Sequence, residues 1–270
     1  MTDQLAARIV LNIPHASTYI PDQYLNQFSV PGWALHYERL MLTDWFTQVL
    51  FNIEGSHQVI AEVSRLLLDT ERFVLDKEEP MAQYGMGVIY THGSRRQPIR
   101  RTLTASERQE LLDRYYHSHH QALTRAVQAC LDQHGECFLI DCHSFWNEPM
   151  AHESDKGPRP DFCIGTNATN APDDYVASIY KALARDGASV RINSPYSGSM
   201  LPAEFTGDQR VKAAMIEINR KLYMTMPDAV YGPEILDSIP TMPTRTHNFI
   251  EVAKKVQKAI FEGVAYNCAL

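Results

Sequence analysis

No C-x-x-C pair occurs in this chain, and its five cysteines (Cys130, Cys137, Cys142, Cys163 and Cys268) are odd in number. Neither a disulfide framework nor a thiolate zinc site is indicated, and a reducing cytoplasm is the expected compartment. No apolar run approaches the ~18–20 residues of a membrane span, and the start, "MTDQLAARIV", has no apolar stretch of signal-peptide length. A basic excess is missing too: the formal charge is −7, which disfavours nucleic acid as a partner. There is no internal repeat and no low-complexity linker. With 270 residues, 44% apolar and 21% charged, the default is an ordinary soluble globular protein.

Seven short segments read as strands: residues 8–13, 58–63, 86–90, 137–142, 161–165, 188–192 and 213–219. Several are continuous apolar runs, which suits a sheet covered on both faces. Helical patterns lie between them, over residues 33–52, from a Thr104–Glu107 capping box to about residue 133, after Pro172, and from Phe249 onward. Strands alternating with helices predict an α/β fold, a mixed sheet between two helix layers. Ligands of such sheets bind beyond the C-terminal strand ends.

Four of those segments carry polar groups that a fold alone does not need. "IVLNIPHAS" sets His15 just past a strand, between Pro14 and Pro21. It is either a ligand or proton carrier, or a surface loop histidine. "CFLIDCHSF" delivers His143 with Asp141 two residues earlier, on the same side of the strand. Asp141 would orient the imidazole or cap a loop. "LMLTDWFTQVLF" reads as a helix apolar nearly all round, with Asp44 its one charge; a buried carboxylate there binds a metal or pairs with backbone or arginine. "AMIEIN" sets Glu217 opposite Ile216 and Ile218, as a general base or one half of a buried salt bridge. "VSRLLLDTERF" adds Arg65 and Arg72, suited to holding a carboxylate unless they pair with Asp69, Glu62 or Glu71. Two histidines and a carboxylate with an open position describe a catalytic zinc site.

Taken together, "NIPHASTYIP", "TDWF", "VSRLLLDTERF", "YYHSHHQAL", "FLIDCHSF", "RPDFCIGT", "RINSPYSGSM" and "AMIEINRKLYM" resemble the N-formylglutamate amidohydrolase family, in the family's order over about residues 9–224. The family is related to zinc carboxypeptidases and aspartoacylase-like deacylases. The resemblance implies a zinc carboxypeptidase-like fold (phosphorylase/hydrolase-like), with a mixed, mostly parallel sheet, in a single α/β metallohydrolase domain over residues 1–270. It implies His15 and His143 as ligands of Zn²⁺ or another divalent transition metal, Glu217 as general base, and Arg72 at the substrate carboxylate, with Arg65 or Asn193 assisting. Zinc carboxypeptidases take two ligands from a His-x-x-Glu motif, but the position three after His15 is Thr18. The third ligand then comes from elsewhere or is lost; Asp44, the lone carboxylate in an apolar helix, is the expected one, with Asp69 as runner-up. Glu71 stands where the relatives have Asn.

The expected activity is hydrolysis of N-formyl-L-glutamate to formate and glutamate, as in histidine catabolism, with a small anionic amide as the partner. Two alternatives stand beside it. One is a deacylase or peptidase for another carboxylate-bearing N-acyl amino acid. The other is a binding protein without catalysis. "HSHH" (117–120) is expected to send at most one histidine to the pocket mouth, and "GSRRQPIRR" (93–101) to be a solvated loop.

Overall fold

The computed structural model describes residues 2–151, 153, 155–225 and 243–268. Six strands form one sheet in the order β2-β1-β3-β6-β4-β5. They are β1(Ile9–Ile13), β2(His57–Ile60), β3(Cys137–Phe145), β4(Phe162–Gly165), β5(Val190–Ile192) and β6(Val211–Asn219). The pairs β1–β2, β1–β3 and β3–β6 are parallel, whereas β4 runs antiparallel to β6 and carries β5 parallel to itself. The sheet is therefore mixed and mostly parallel, as its apolar runs predict.

Helices cover both faces. On one side α6(Asp173–Ala184) and α7(Phe249–Cys268) pack over Leu11, Ile140, Cys142, Ile216 and Ile164. On the other, α5(His117–His134) packs over Val10, Leu139 and Ala213. Side chains alternate along a strand, so Cys142 points toward α6 and α7, away from the side of its neighbours Asp141 and His143. On the α5 side the face changes character along the strands: apolar at the start, then Asn12, Asp141, His143 and Glu217 at the C-terminal ends. A third apolar cluster, built from Leu66–Leu68, Val88–Tyr90 and Leu111–Tyr115, anchors the long segment between β2 and α4(Ala105–Leu111) beside those ends.

Four expectations change. The pattern over residues 33–52 breaks into α2(Gly32–Leu42) and α3(Thr47–Leu50), and Asp44 sits in the break. Its N–H donates to His15 O at 2.9 Å and its carbonyl accepts from Thr47 N–H, contacts that a continuous helix would forfeit. Residues 86–90 form a tight turn, with Met86 paired to Tyr90, rather than a sheet strand. Arg100 in the 93–101 stretch is buried, donating to Leu66 O and Leu67 O over the ring of Phe28, so that stretch is only partly solvated. Finally, a π-helical turn over Leu112–Tyr116 separates α4 from α5 and rephases the helix. It leaves His117 exposed, His119 packed against Asn12 and His120 at the cavity. The capping box of Thr104 and Glu107 is present, with both reciprocal hydrogen bonds.

Gly263 is where α7 lies closest to α6. A Cβ there would come within 2.8 Å of Ile179 Cγ1 and 3.2 Å of Tyr175 Cε2. Alanine in a helix gains about 1 kcal/mol over glycine, but forcing a methyl into a filled seam costs roughly 1–3 kcal/mol. Gly263→Ala is therefore expected to lower stability in urea unfolding, against the usual sign for Gly→Ala in a helix. An increase would mean the two helices can part.

Candidate active site

The polar ends of β1, β3 and β6 open into a cavity of about 740 Å³. His15 follows β1 after Pro14. His143 lies in β3, in direct register with Glu217 of β6. Asp44 joins them from the break between α2 and α3. His15 Nδ1 and His143 Nδ1 are 3.3 Å apart, and Asp44 Oδ2 lies 3.2 Å from the second and 3.5 Å from the first. All three residues are buried.

Asp44 Oδ2 accepts from both ring nitrogens only while both carry a proton; with Nδ1 unprotonated on the two rings, three lone pairs converge on one point. Four ligands arranged tetrahedrally on bonds of zinc length are separated by about 3.3 Å. The triangle fits a divalent metal of that size, and its donor set, two imidazoles and a carboxylate, is that of a catalytic site with one open position.

The far side of each ring is also held. His15 Nε2 contacts Asp69 Oδ1 at 2.8 Å. Asp69 is fully enclosed and saturated: Arg65 donates to its Oδ2 from Nε at 3.1 Å and Nη2 at 2.8 Å, and the Tyr90 hydroxyl donates at 2.7 Å. Burial works against its charge, but Arg65, His15 and Arg72 outweigh it and hold the carboxyl well below the usual range. The structure thus sets Asp69 behind His15, outside the donor triangle. His143 Nε2 lies 3.0 Å from Glu71 Oε2 and 3.1 Å from Asp141 Oδ1, neither aligned with the ring N–H. Burial opposes charge on this imidazole, and the two carboxylates override it, holding its pKa well above the ordinary value. Those two carboxylates and His143 Nε2 form a second convergent donor group. Asn12 Nδ2 donates to both, at 2.7 Å to Glu71 and 2.9 Å to Asp141, while its carbonyl contacts His119 Nε2 at 2.8 Å.

Glu217 is 8% exposed and lines the cavity, and its Oε2 has no hydrogen-bond partner among the described residues. Burial pushes its carboxyl up to about 8, against the pull of His143. Arg72 lines the cavity as well, its Nε 3.7 Å from Asp69 and 3.9 Å from Glu79. Arg65 reaches the wall but gives Nε and Nη2 to Asp69. Asn193 is not brought to the cavity. It adopts a left-handed φ of 54° and pairs with Thr166, through Oδ1 to the backbone N–H and Nδ2 to the hydroxyl. Its neighbours Tyr196–Met200 line the cavity instead.

Sequence reasoning passed over two residues. Asn12 is a lone amide in the apolar strand "IVLNI". Arg220 directly follows "IEIN" and is 3% exposed, with Nη2 donating to Asp44 Oδ1 at 2.7 Å, Nε to Ser144 Oγ and Nη1 to Met41 O. In both cases a polar side chain beside a buried apolar run was the available signal.

Buried carboxylates and imidazoles gathered at the C-terminal strand ends, beside a cavity with a free glutamate, define a hydrolase-type site in an α/β sheet. The chain matches the family model for N-formylglutamate amidohydrolase over residues 7–224 and belongs to that family. Its structure resembles an N-formylglutamate amidohydrolase from Ralstonia eutropha JMP134, with TM-score 0.78, 23% identity, and coverage of 97% of this chain and 95% of that one. A gene product from Agrobacterium tumefaciens is similar at TM-score 0.62 and 15% identity, over 99% of this chain and 94% of that one. At those identities the likeness establishes the fold. Comparison with curated proteins found no match. Among the described residues, no helix is long and apolar enough to cross a membrane.

Arg220 pairs with Asp44 where both side chains are buried. Breaking a buried ion pair from one side costs roughly 3–5 kcal/mol. Arg220→Met is expected to destabilise the metal-free protein on that scale in urea unfolding, and adding Asp44→Asn is expected to recover part of the loss. If the double variant is no more stable than Arg220→Met alone, Arg220 acts through its other contacts.

Proposed function

We propose that this protein is a metal-dependent amidohydrolase that cleaves N-formyl-L-glutamate to formate and L-glutamate, a reaction of histidine catabolism. The observation that carries this reading is the buried triangle of His15 Nδ1, His143 Nδ1 and Asp44 Oδ2 beside the unpartnered carboxylate of Glu217. Membership of the amidohydrolase family supplies the bond to be cleaved.

His15, Asp44 and His143 would hold the metal, with zinc the best fit to the donor set. When bound, such an ion supplies Lewis acidity to the amide carbonyl and acidifies water. The rest is done by the chain's own groups. Asp69 bonds to His15 Nε2 and orients that ring, while Asp141 and Glu71 stand as charges behind His143 Nε2, leaving the two Nδ1 atoms for the metal. Burial works against charge on Asp44, but His143, His15 and then Arg220 hold its carboxyl well below the ordinary range, and Arg220 orients it through Oδ1. Glu217, at about 8 mostly protonated at pH 7 in the metal-free chain, acts in its ionised form, which a neighbouring cation favours. It takes the proton from the attacking water and returns it to the leaving amine nitrogen, so that C–N cleavage releases a neutral amine. Arg72 holds a substrate carboxylate, and Arg65 serves by holding Asp69 in place.

Glu217→Gln is expected to lower kcat by about 10²–10⁴-fold while metal content, measured by mass spectrometry, stays near that of the unaltered protein. His15→Ala and Asp44→Ala are expected to lose the metal. Near-normal turnover in Glu217→Gln, or full occupancy in Asp44→Ala, would remove those roles.

A further inference from the structure

Residues 70–72 bring Glu71 and Arg72 to the cavity wall on irregular backbone. Among the described residues, no backbone N–H donates to the carbonyl of Thr70 or of Arg72, and the Glu71 N–H turns back to Asp69 Oδ1 at 3.0 Å. The Arg72 guanidinium is no better fixed. Asp69 and Glu79 stand beside its Nε at 3.7 and 3.9 Å, within ion-pair reach but beyond hydrogen-bond length. That buried nitrogen has no hydrogen-bond partner among the described residues. The direction in which Arg72 points is therefore set by the backbone that carries it.

One short stretch of helix holds that backbone. The Tyr116 hydroxyl donates to Arg72 O at 3.0 Å. His120 Nε2 lies 2.8 Å from Thr70 O, and because a carbonyl only accepts, this nitrogen carries the proton. His119 reaches Glu71 through Asn12: its Nε2 contacts Asn12 Oδ1 at 2.8 Å, and Asn12 Nδ2 donates to Glu71 Oε1 at 2.7 Å. Thr70, Glu71 and Arg72 are thus each tied to the residues from Tyr116 to His120. The rings of Tyr116 and His120 are stacked, with centroids 4.2 Å apart and planes 29° apart, so each limits the rotation of the other. Both line the cavity. The π turn over Leu112–Tyr116 brings this about, since its extra residue rotates all that follows by about 100° relative to an unbroken α-helix.

We infer that Tyr116 and His120 are positioning residues for substrate binding: by holding the carbonyls of Arg72 and Thr70, they aim the Arg72 guanidinium at a carboxylate of N-formylglutamate. The inference rests on the amidohydrolase reading, in which Arg72 takes a substrate carboxylate, and adds the groups that set its aim. Neither residue acts on the amide, so both govern how tightly the substrate is held rather than the chemical step. Loss of one such hydrogen bond corresponds to about three- to tenfold in binding.

The test measures kcat and KM of the metal-loaded enzyme for N-formyl-L-glutamate, with the inhibition constant of L-glutamate as a measure of binding alone. Tyr116→Phe keeps the stacked ring and removes the hydroxyl. His120→Leu removes the donor to Thr70 O, and His120→Gln returns one in its terminal amide. Tyr116→Phe and His120→Leu are each expected to raise KM and the inhibition constant by about three- to tenfold, with kcat within about twofold of the unaltered enzyme. His120→Gln is expected to recover most of that loss. On an Arg72→Met background, Tyr116→Phe is expected to change nothing further, because the group it aims is gone. A fall in kcat with KM unchanged, or a loss that adds in full to that of Arg72→Met, overturns the inference and leaves the amidohydrolase reading intact. So does an unchanged KM in both Tyr116→Phe and His120→Leu. No release of glutamate by the unaltered enzyme overturns that reading, and the inference with it.

Discussion

Asp44, Asp69 and Asp141 are all buried beside the equally buried His15 and His143, Asp44 touching both, Asp69 the first and Asp141 the second, and a chain that removes so many charges from water must neutralise every one of them. The architecture at the C-terminal end of the sheet follows from that need. Asp69 is answered by Arg65, Tyr90 and His15, Asp44 by Arg220 and both imidazoles, and Asp141 by Asn12, His143 and the Met200 N–H. Two features stand apart: the close triangle in which the Nδ1 atoms of His15 and His143 share one Asp44 oxygen, and Glu217 Oε2, which has no hydrogen-bond partner among the described residues. Buried polar groups are usually paired, and these are the atoms to which the proposed external group is assigned.

The fold meets this requirement with one alternation. On β1, β3 and β6 the residues facing α5 are apolar for the first half of each strand and polar toward the second, while the opposite residues are apolar under α6 and α7 apart from Lys212 at the start of β6 and Ser144 near the end of β3. A rigid, doubly covered sheet therefore presents His143, Asp141 and Glu217 at fixed spacing, and only His15 and Asp44 come from irregular backbone. Those two are joined directly by the hydrogen bond from Asp44 N–H to His15 O. The segment carrying Asp69 and Arg72 is anchored separately, by its own apolar cluster and by Arg100 donating to Leu66 O and Leu67 O. Arg72 and the triangle of His15, Asp44 and His143 thus rest on different supports.

Much of this was legible in the sequence because the signals were local. The apolar runs named five of the six sheet strands closely. Asp141 and His143 share a side by strand parity, and Asp44 and Glu217 stood out as lone charges in apolar surroundings. What escaped was set by contacts between distant segments. Asp44 looks helical from its neighbours, and only the carbonyl of His15 pulls it out of a helix. Asn193 belongs to a turn-rich loop, and nothing nearby in the chain shows that Thr166 takes its side chain. A π turn, invisible to a 3.6-residue pattern, decides that His119 meets Asn12 while His120 reaches the cavity. Arg65 and Arg72 look alike in the sequence, and only the position of Asp69 separates the bound guanidinium from the available one.

The central claim is that a single ion belongs in the triangle of His15, Asp44 and His143 rather than in the neighbouring group of Glu71, Asp141 and the opposite nitrogen of His143. Crystals of the metal-loaded protein, with anomalous scattering recorded on both sides of the zinc edge, test this most directly. The expected result is one anomalous peak within bonding distance of His15 Nδ1, His143 Nδ1 and Asp44 Oδ2. A peak bonded to Glu71 and Asp141 instead, or an ordered triangle without one in zinc-loaded, active crystals, would contradict it.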